Sequence, residues 1–157
     1  MKQQTLTTRP STYAGLTISA QLAIVKESDG RKAQSPEHVS EICEDLRDMA
    51  QEAFVVITLD QKNEVIARNL ITLGILNASL VHPREVFRSA MLDSAAAIIL
   101  VHNHPSGDPS PSSEDIKITR QLIEAGKILD ICVHDHVIIG RGNTPFFSIR
   151  ESQLCTF

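Results

Sequence analysis

Apolar positions along the chain change period several times, and each change marks an element. After Ser35-Pro36, the residues Val39, Ile42, Cys43, Leu46 and Met49 recur at three- and four-residue intervals, which is one face of a helix running from about Glu37 to Ala50. Ser35 suits the N-cap, and Pro36 suits the first helical position, where the missing N–H would have had no intrahelical partner. The continuous apolar run that follows, from Ala53 to Leu59, reads as a strand covered on both faces. Further strands are predicted at about 64–69 and 71–76, and a helix opened by Pro83 reaches about Asp93. Ala95–Val101 (AAAIILV) is a second buried-strand run, and Ser112-Ser113-Glu114-Asp115 opens a helix carrying Ile116, Thr119, Leu122 and Ile123. A strand over about 129–139 and a short one at Phe146–Ile149 complete the pattern. Near the start, Leu16–Lys26 alternates as a strand that can pair with the main sheet or with a second copy of the chain, which would make a homo-oligomer. Residues 1–15 are polar and read as a flexible arm, leaving 16–157 as one domain. Helices interspersed among strands predict a layered α/β fold.

The second apolar run ends on His102-Asn103-His104. In an extended chain residues two apart share a face, so both imidazoles can approach one ion. Two histidines half-fill a tetrahedral zinc site; an oxygen ligand as third leaves the fourth position to water, which separates catalytic from structural zinc. Asp115 is a downstream carboxylate within reach, beyond a segment stiffened by Pro105, Pro109 and Pro111. Ser112 and Asp115 also have the spacing of a capping box, and taken alone that pair more often caps a helix than builds a site. The two roles are compatible.

His102-x-His104, seven residues, then Ser112-x-x-Asp115 resembles the JAMM signature of JAB/MPN metalloproteases, and VHNHPSGDPSPSSEDI with DHVIIG is similar to the RadC-like branch, over about 35–150. The resemblance implies a JAB/MPN fold, cytidine-deaminase-like, with a mixed β-sheet flanked by helices. It implies one zinc ion per chain held by His102, His104 and Asp115. Glu52, just before the first apolar run, would be the general acid/base, with Glu64 and Glu85 as competitors, and Ser112 would stabilise the oxyanion. The implied activity is hydrolysis of a peptide or isopeptide bond in a peptide or protein substrate. The commoner JAMM pattern has Ser or Thr between the histidines; Asn103 stands there and points away from the ligands, so the departure bears on substrate class. A second H-x-H, His134-Asp135-His136, lacks the following Ser-x-x-Asp; these are expected to be core histidines, with Asp135 or His136 placed to orient a ligand from behind. The alternative is a noncatalytic accessory in DNA repair or mobile-element biology that retains zinc. Base deamination is disfavoured because H-x-E with P-C-x-x-C is absent, and a two-metal nuclease would need more clustered carboxylates.

Composition narrows the classes further. With 157 residues, 42% of them hydrophobic, the chain can bury a core. A net charge of −4 lacks the basic footprint of a nonspecific nucleic-acid binder, and Arg84 and Arg88 read as a solvated helix face. Cys43, Cys132 and Cys155 make no C-x-x-C, and an odd count fits reduced thiols in a cytoplasmic protein, with Cys43 and Cys132 as small core residues. The first ten residues have no apolar signal core and no stretch approaches a membrane span. The length leaves no room for the helix-hairpin-helix region that RadC-like proteins often carry, so its DNA contacts are not expected.

Overall fold

The computed structural model describes residues 30–74 and 81–157, together with the backbone of two short strands before them. Those strands, β1 (Ser11–Tyr13) and β2 (Leu16–Ile18), pair antiparallel. The rest of the expected arm, and the continuation of the Leu16–Lys26 strand, lie outside the described residues. After them come α1 (Pro36–Ile42), a 3-10 turn (Glu44–Leu46), β3 (Glu52–Leu59), β4 (Val65–Gly74), α2 (Pro83–Leu92), β5 (Ala97–Asn103), α3 (Ser113–Leu129), β6 (Cys132–Ile139) and β7 (Phe146–Ser148).

Five strands form one sheet in the order β4-β3-β5-β6-β7. Only β5 and β6 are parallel, and the connection between them is α3; the other three pairings are antiparallel. The sheet is therefore mixed, and helices cover both of its faces. On one side, Phe54, Val56, Ile98, Leu100 and Ile138 pack against Val86, Phe87 and Ala90 of α2 and Ile118, Leu122 and Ile123 of α3. On the other, Ala53, Val55, Ile57, Ile99, Val101, Val137 and Ile139 pack against Val39, Cys43 and Leu46. Each such aliphatic or aromatic side chain contributes about 1.5–3 kcal/mol when fully buried, and covering both faces explains why β3 and β5 read as unbroken apolar runs.

Several boundaries differ from the expected ones. The helix after Pro36 stops at Ile42, because Cys43 leaves helical geometry at φ −111° and the chain continues as a 3-10 turn; the apolar spacing still brings Val39, Cys43 and Leu46 into the core. The two strands expected at 64–69 and 71–76 are one long strand as far as Gly74, with 75–76 outside the described residues. Strand β6 begins at Cys132, three residues later than expected, since α3 runs on to Leu129 and ends in a left-handed Asp130 at φ 56°. Cys132 is consequently exposed, a correction to its expected place in the core, while Cys43 and Cys155 are buried and all three thiols are free. Burial pushes the Cys43 thiol up to about 11. No helix among the described residues is long and apolar enough to cross a membrane.

Candidate metal centre

The carboxyl end of β5 meets the amino end of α3, and the candidate site lies at that junction. All seven residues of β5 are buried, including His102 and Asn103, so their polar atoms must find partners or carry a desolvation cost of about 1–3 kcal/mol each. Phe54 of β3 is the cross-strand partner of His102, with the rings stacked at 6.1 Å and 12° between planes. Alternation then puts Glu52, two residues before Phe54, on the same face as His102 and His104. That face is the one α3 covers, and Asp115 sits in its first turn.

These four side chains converge. His102 Nε2 and His104 Nε2 are 3.0 Å apart. The Asp115 carboxylate reaches both, Oδ1 at 3.3 Å from His102 Nε2 and Oδ2 at 3.5 Å from His104 Nε2. Glu52 Oε1 stands further off, 3.9 and 4.0 Å from the same two nitrogens. Glu52, His102 and His104 present ligand atoms within 4.8 Å of one another, a group that can hold a metal ion. Asp115 is 2% exposed, His102 not at all, and His104 and Glu52 17% and 20%, so the site has a dry floor and a wet rim.

The hydrogen bonds behind the histidines fix which ring nitrogen is bare. The Thr119 hydroxyl donates to the Asp115 carbonyl at 2.6 Å, which commits its single proton. His136 Nδ1, 2.6 Å from Thr119 Oγ1, must therefore donate to that hydroxyl oxygen. His136 Nε2 is left as the acceptor for His102 Nδ1–H at 2.8 Å, and His102 Nε2 carries a lone pair. His104 Nδ1, 2.7 Å from the Asp108 carbonyl, must likewise donate, so in the neutral ring His104 Nε2 is bare. Two ring nitrogens facing each other at 3.0 Å beside a carboxylate call for a positive charge there, either a proton on His104 Nε2 or a bound cation. The edge of a coordination tetrahedron with Zn–N bonds of about 2.0–2.1 Å is about 3.3 Å; the two carboxylate distances lie close to it and the histidine pair somewhat inside it. The donor set thus fits a divalent cation.

The electrostatics agree. Burial, with the neighbouring His136, pushes His102 well below the usual imidazole range, so it stays neutral; burial, opposed by Asp115 and aided by His104, takes His136 down to about 4. Burial works to raise the Asp115 carboxyl, but the hydrogen bond with His104, the adjacent His102 imidazole, and the Ser112 hydroxyl and N–H together hold it well below the carboxylate range. The hydrogen bond with Asp115 raises His104.

Asp115 also completes the capping box: its Oδ2 accepts from the Ser112 N–H at 2.7 Å and from the Ser112 hydroxyl at 2.6 Å, while its own N–H donates to Ser112 Oγ at 3.2 Å. Cap and site are one construction. The proline-rich loop is held from the far side by β6 and the residues after it, with His104 N–H donating to Ile139 O and Arg141 N–H to Gly107 O. A Cβ on Gly140 would lie 2.7 Å from both Gly107 O and Pro109 Cδ, so only glycine permits this approach. A cavity of about 270 Å³ lined by Ala50, Gln51, Glu52, Gly74 and Pro105 opens beside Glu52. A larger one, about 580 Å³, lies instead by Ala33, Asn63, His134 and Arg150, away from the four converging groups.

Of the residues singled out in the sequence, Glu52, Ser112, His102, His104, Asp115 and His136 come together here. The competitors go elsewhere: Glu64 lies beyond the opposite end of β3, where its backbone forms an isolated β-bridge with Lys32, and Glu85 pairs with Arg84 on α2. The second H-x-H divides. His136 supports His102, whereas His134 turns out to Asn63 at 3.0 Å. Asp135 does not support a ligand; its carboxylate accepts from the His136 and Arg150 N–H groups and the Ser148 hydroxyl. Residues one apart on a strand face opposite ways, so His136 and Asp135 could not both face the site. Thr119 and Phe54 were not foreseen as members; the one sequence signal for Thr119 is a hydroxyl on the apolar stripe of α3, four residues after Asp115.

The profile of the family described as RadC-like JAB domain matches residues 33–154. A UPF0758 protein of Methanosarcina mazei is 47% identical over 135 residues, 85% of this chain and 58% of the relative. Another, of Caldanaerobacter subterraneus, is 48% identical over 145 residues, 92% and 61% of the two chains. A third, of Methanospirillum hungatei, is 55% identical over 118 residues, 74% and 52%. The chain spans between half and about three-fifths of the length of these curated relatives. With its mixed five-stranded sheet between helices and its histidine-carboxylate cluster at the end of β5, the chain belongs to the RadC-like JAB-domain family.

Proposed function

We propose that this domain is a zinc-dependent hydrolase of amide bonds, a peptidase or isopeptidase acting on a peptide or protein substrate. The observation that carries the reading is the unequal placement of the two carboxylates: Asp115 lies buried against both imidazole nitrogens, while Glu52 stands 3.9–4.0 Å away on the solvent side. In this reading His102, His104 and Asp115 hold the zinc, and Glu52 is left for proton transfer. Zinc supplies Lewis acidity, which makes water nucleophilic near neutral pH and polarises a carbonyl. Glu52 accepts the proton of the attacking water and delivers it to the departing amine, acting first as base and then as acid. Thr119 and His136 hold His102 in the tautomer that presents Nε2. Ser112 has two calls on one proton: it now fixes Asp115 Oδ2, and it serves a developing oxyanion only by turning away from that bond. The cavity of about 270 Å³ beside Glu52 gives a substrate access from the open side.

Metal content by mass spectrometry, wild type against His104→Ala, is the test. About one zinc per chain in wild type, lost in the variant, supports the centre. A peptide and isopeptide screen with Glu52→Gln then separates hydrolysis from a noncatalytic role: turnover lost with zinc retained supports it. Wild-type protein that takes up no zinc when supplied with it removes the reading.

A further inference from the structure

The residue between the two histidines faces away from the cation position, and its side chain does something that neither the spacing nor the ligand set accounts for. Asn103 is 1% exposed. Its Oδ1 accepts the Ala53 N–H at 2.8 Å, and its Nδ2 donates to the Gln51 carbonyl at 3.1 Å. Those are the backbone groups immediately after and before Glu52.

The reason such a clamp is needed lies in the register. The β3–β5 ladder ends at the Phe54–His102 pair. On its other side β5 continues to the Asn103–Ile139 pair with β6, and the next amide, His104 N–H, donates to Ile139 O. Strand β5 pairs with β6 one residue beyond its last pair with β3, so Glu52 and Ala53 have no ladder partner on β5. On the other side Glu52 is opposite Gly74, the last residue of β4. Asn103 spans the gap with a side chain in place of a backbone. A carboxamide is suited to this: one acceptor and one donor, at the spacing of a peptide group, meet one N–H and one C=O. A hydroxyl has a single proton and a shorter reach, and a carboxylate would set an acceptor against the Gln51 carbonyl.

We propose that Asn103 is a positioning residue for Glu52, its carboxamide clamping the backbone on both sides of that residue so that the carboxylate stands over the cation position. The inference rests on the functional reading given above. It explains why an asparagine can occupy this position without touching the ligands: His102 and His104 point to one face, and the residue between them governs the proton-transfer group through the other.

The experiment compares wild type, Asn103→Ala and Glu52→Gln as full chains. Backbone amide exchange by NMR reads the clamp directly: the Ala53 amide exchanges about tenfold faster or more in Asn103→Ala, the loss expected for one buried hydrogen bond. An unchanged Ala53 rate overturns the clamp. Because zinc has a filled d shell, Co²⁺ is the probe of the site, added to metal-free protein and read by its visible d–d bands. Glu52→Gln shifts those bands, and Asn103→Ala, still binding about one Co²⁺ per chain, shifts them the same way. A wild-type spectrum in a folded Asn103→Ala protein overturns the positioning role while leaving the functional reading intact. A wild-type spectrum in Glu52→Gln overturns both, because Glu52 then does not face the cation. If Asn103→Ala does not fold, Asn103→Thr, a good strand former that keeps one of the two bonds at most, is read by the same two measurements.

Discussion

Thr119 touches no proposed ligand side chain, yet it decides the tautomer of one. Thr119→Val keeps the shape and removes the oxygen that receives the His136 Nδ1–H. The expected outcome is a fall in zinc affinity of about 10- to 100-fold, the usual effect of losing a group that orients a metal-binding histidine, measured by competition with a chelating dye. Unchanged affinity would mean that the bond order Thr119–His136–His102 does not set the tautomer. His134 gives a pH prediction of definite sign. Burial lowers its pKa, with Arg150 adding to the effect. Above about pH 6.5 the imidazole is neutral both folded and unfolded. As pH falls through that value the unfolded chain takes the proton first, so stability declines until the lower folded pKa is passed. His134→Gln is therefore expected to lose less melting temperature than wild type between pH 7.5 and 5; equal losses would show that His134 does not titrate differently on folding. The metal cluster was legible because H-x-H and S-x-x-D are local spacings. Glu52 needed the family resemblance. Thr119, Phe54 and Asn103 act across elements, through pairings that only the sheet register and the packing of α3 determine.

At the scale of elements, the loop from Pro105 to Pro111 connects a strand end to a helix cap, and Gly140 is the position that lets it lie against the chain leaving β6. Gly140→Ala places a methyl 2.7 Å from Gly107 O and Pro109 Cδ. Overpacking of this kind costs about 1–3 kcal/mol. Because Asp108 O is the partner of His104 Nδ1, the displaced loop should weaken metal binding as well as lower the melting temperature. A variant with both properties intact would show that the loop relaxes without cost. Most elements were readable from period alone, β3 and β5 most clearly, since coverage on both faces leaves an unbroken apolar run. What periodicity missed were the terminations. Nothing in the apolar pattern signals that Cys43 leaves helical geometry, and just two residues, the left-handed Asp130 and Ile131, separate α3 from β6. The join of the 64–69 and 71–76 segments into β4 is set by its pairing with β3, which accommodates two register shifts that a hydropathy pattern does not show.

For the molecule as a whole, a cation that binds the folded chain alone adds to its stability. At free zinc about a thousandfold above the dissociation constant this amounts to about 4 kcal/mol, or on the order of 10 °C in melting temperature for a chain of this size. Calorimetry of chelator-treated and zinc-loaded protein measures the difference, and its disappearance in His104→Ala ties it to the centre. The parallel pairing of β5 with β6 has a kinetic consequence. The groups that meet at the centre come from positions 52, 102, 104, 115 and 136, and the histidine that fixes the tautomer is the last of them along the chain, on a strand that reaches β5 only through the α3 crossover. Such non-local pairings are slow to form. The nascent chain therefore offers an ion no finished seat, and metal capture during refolding should trail the closing of the sheet, which makes ion uptake a clock for the last step of folding.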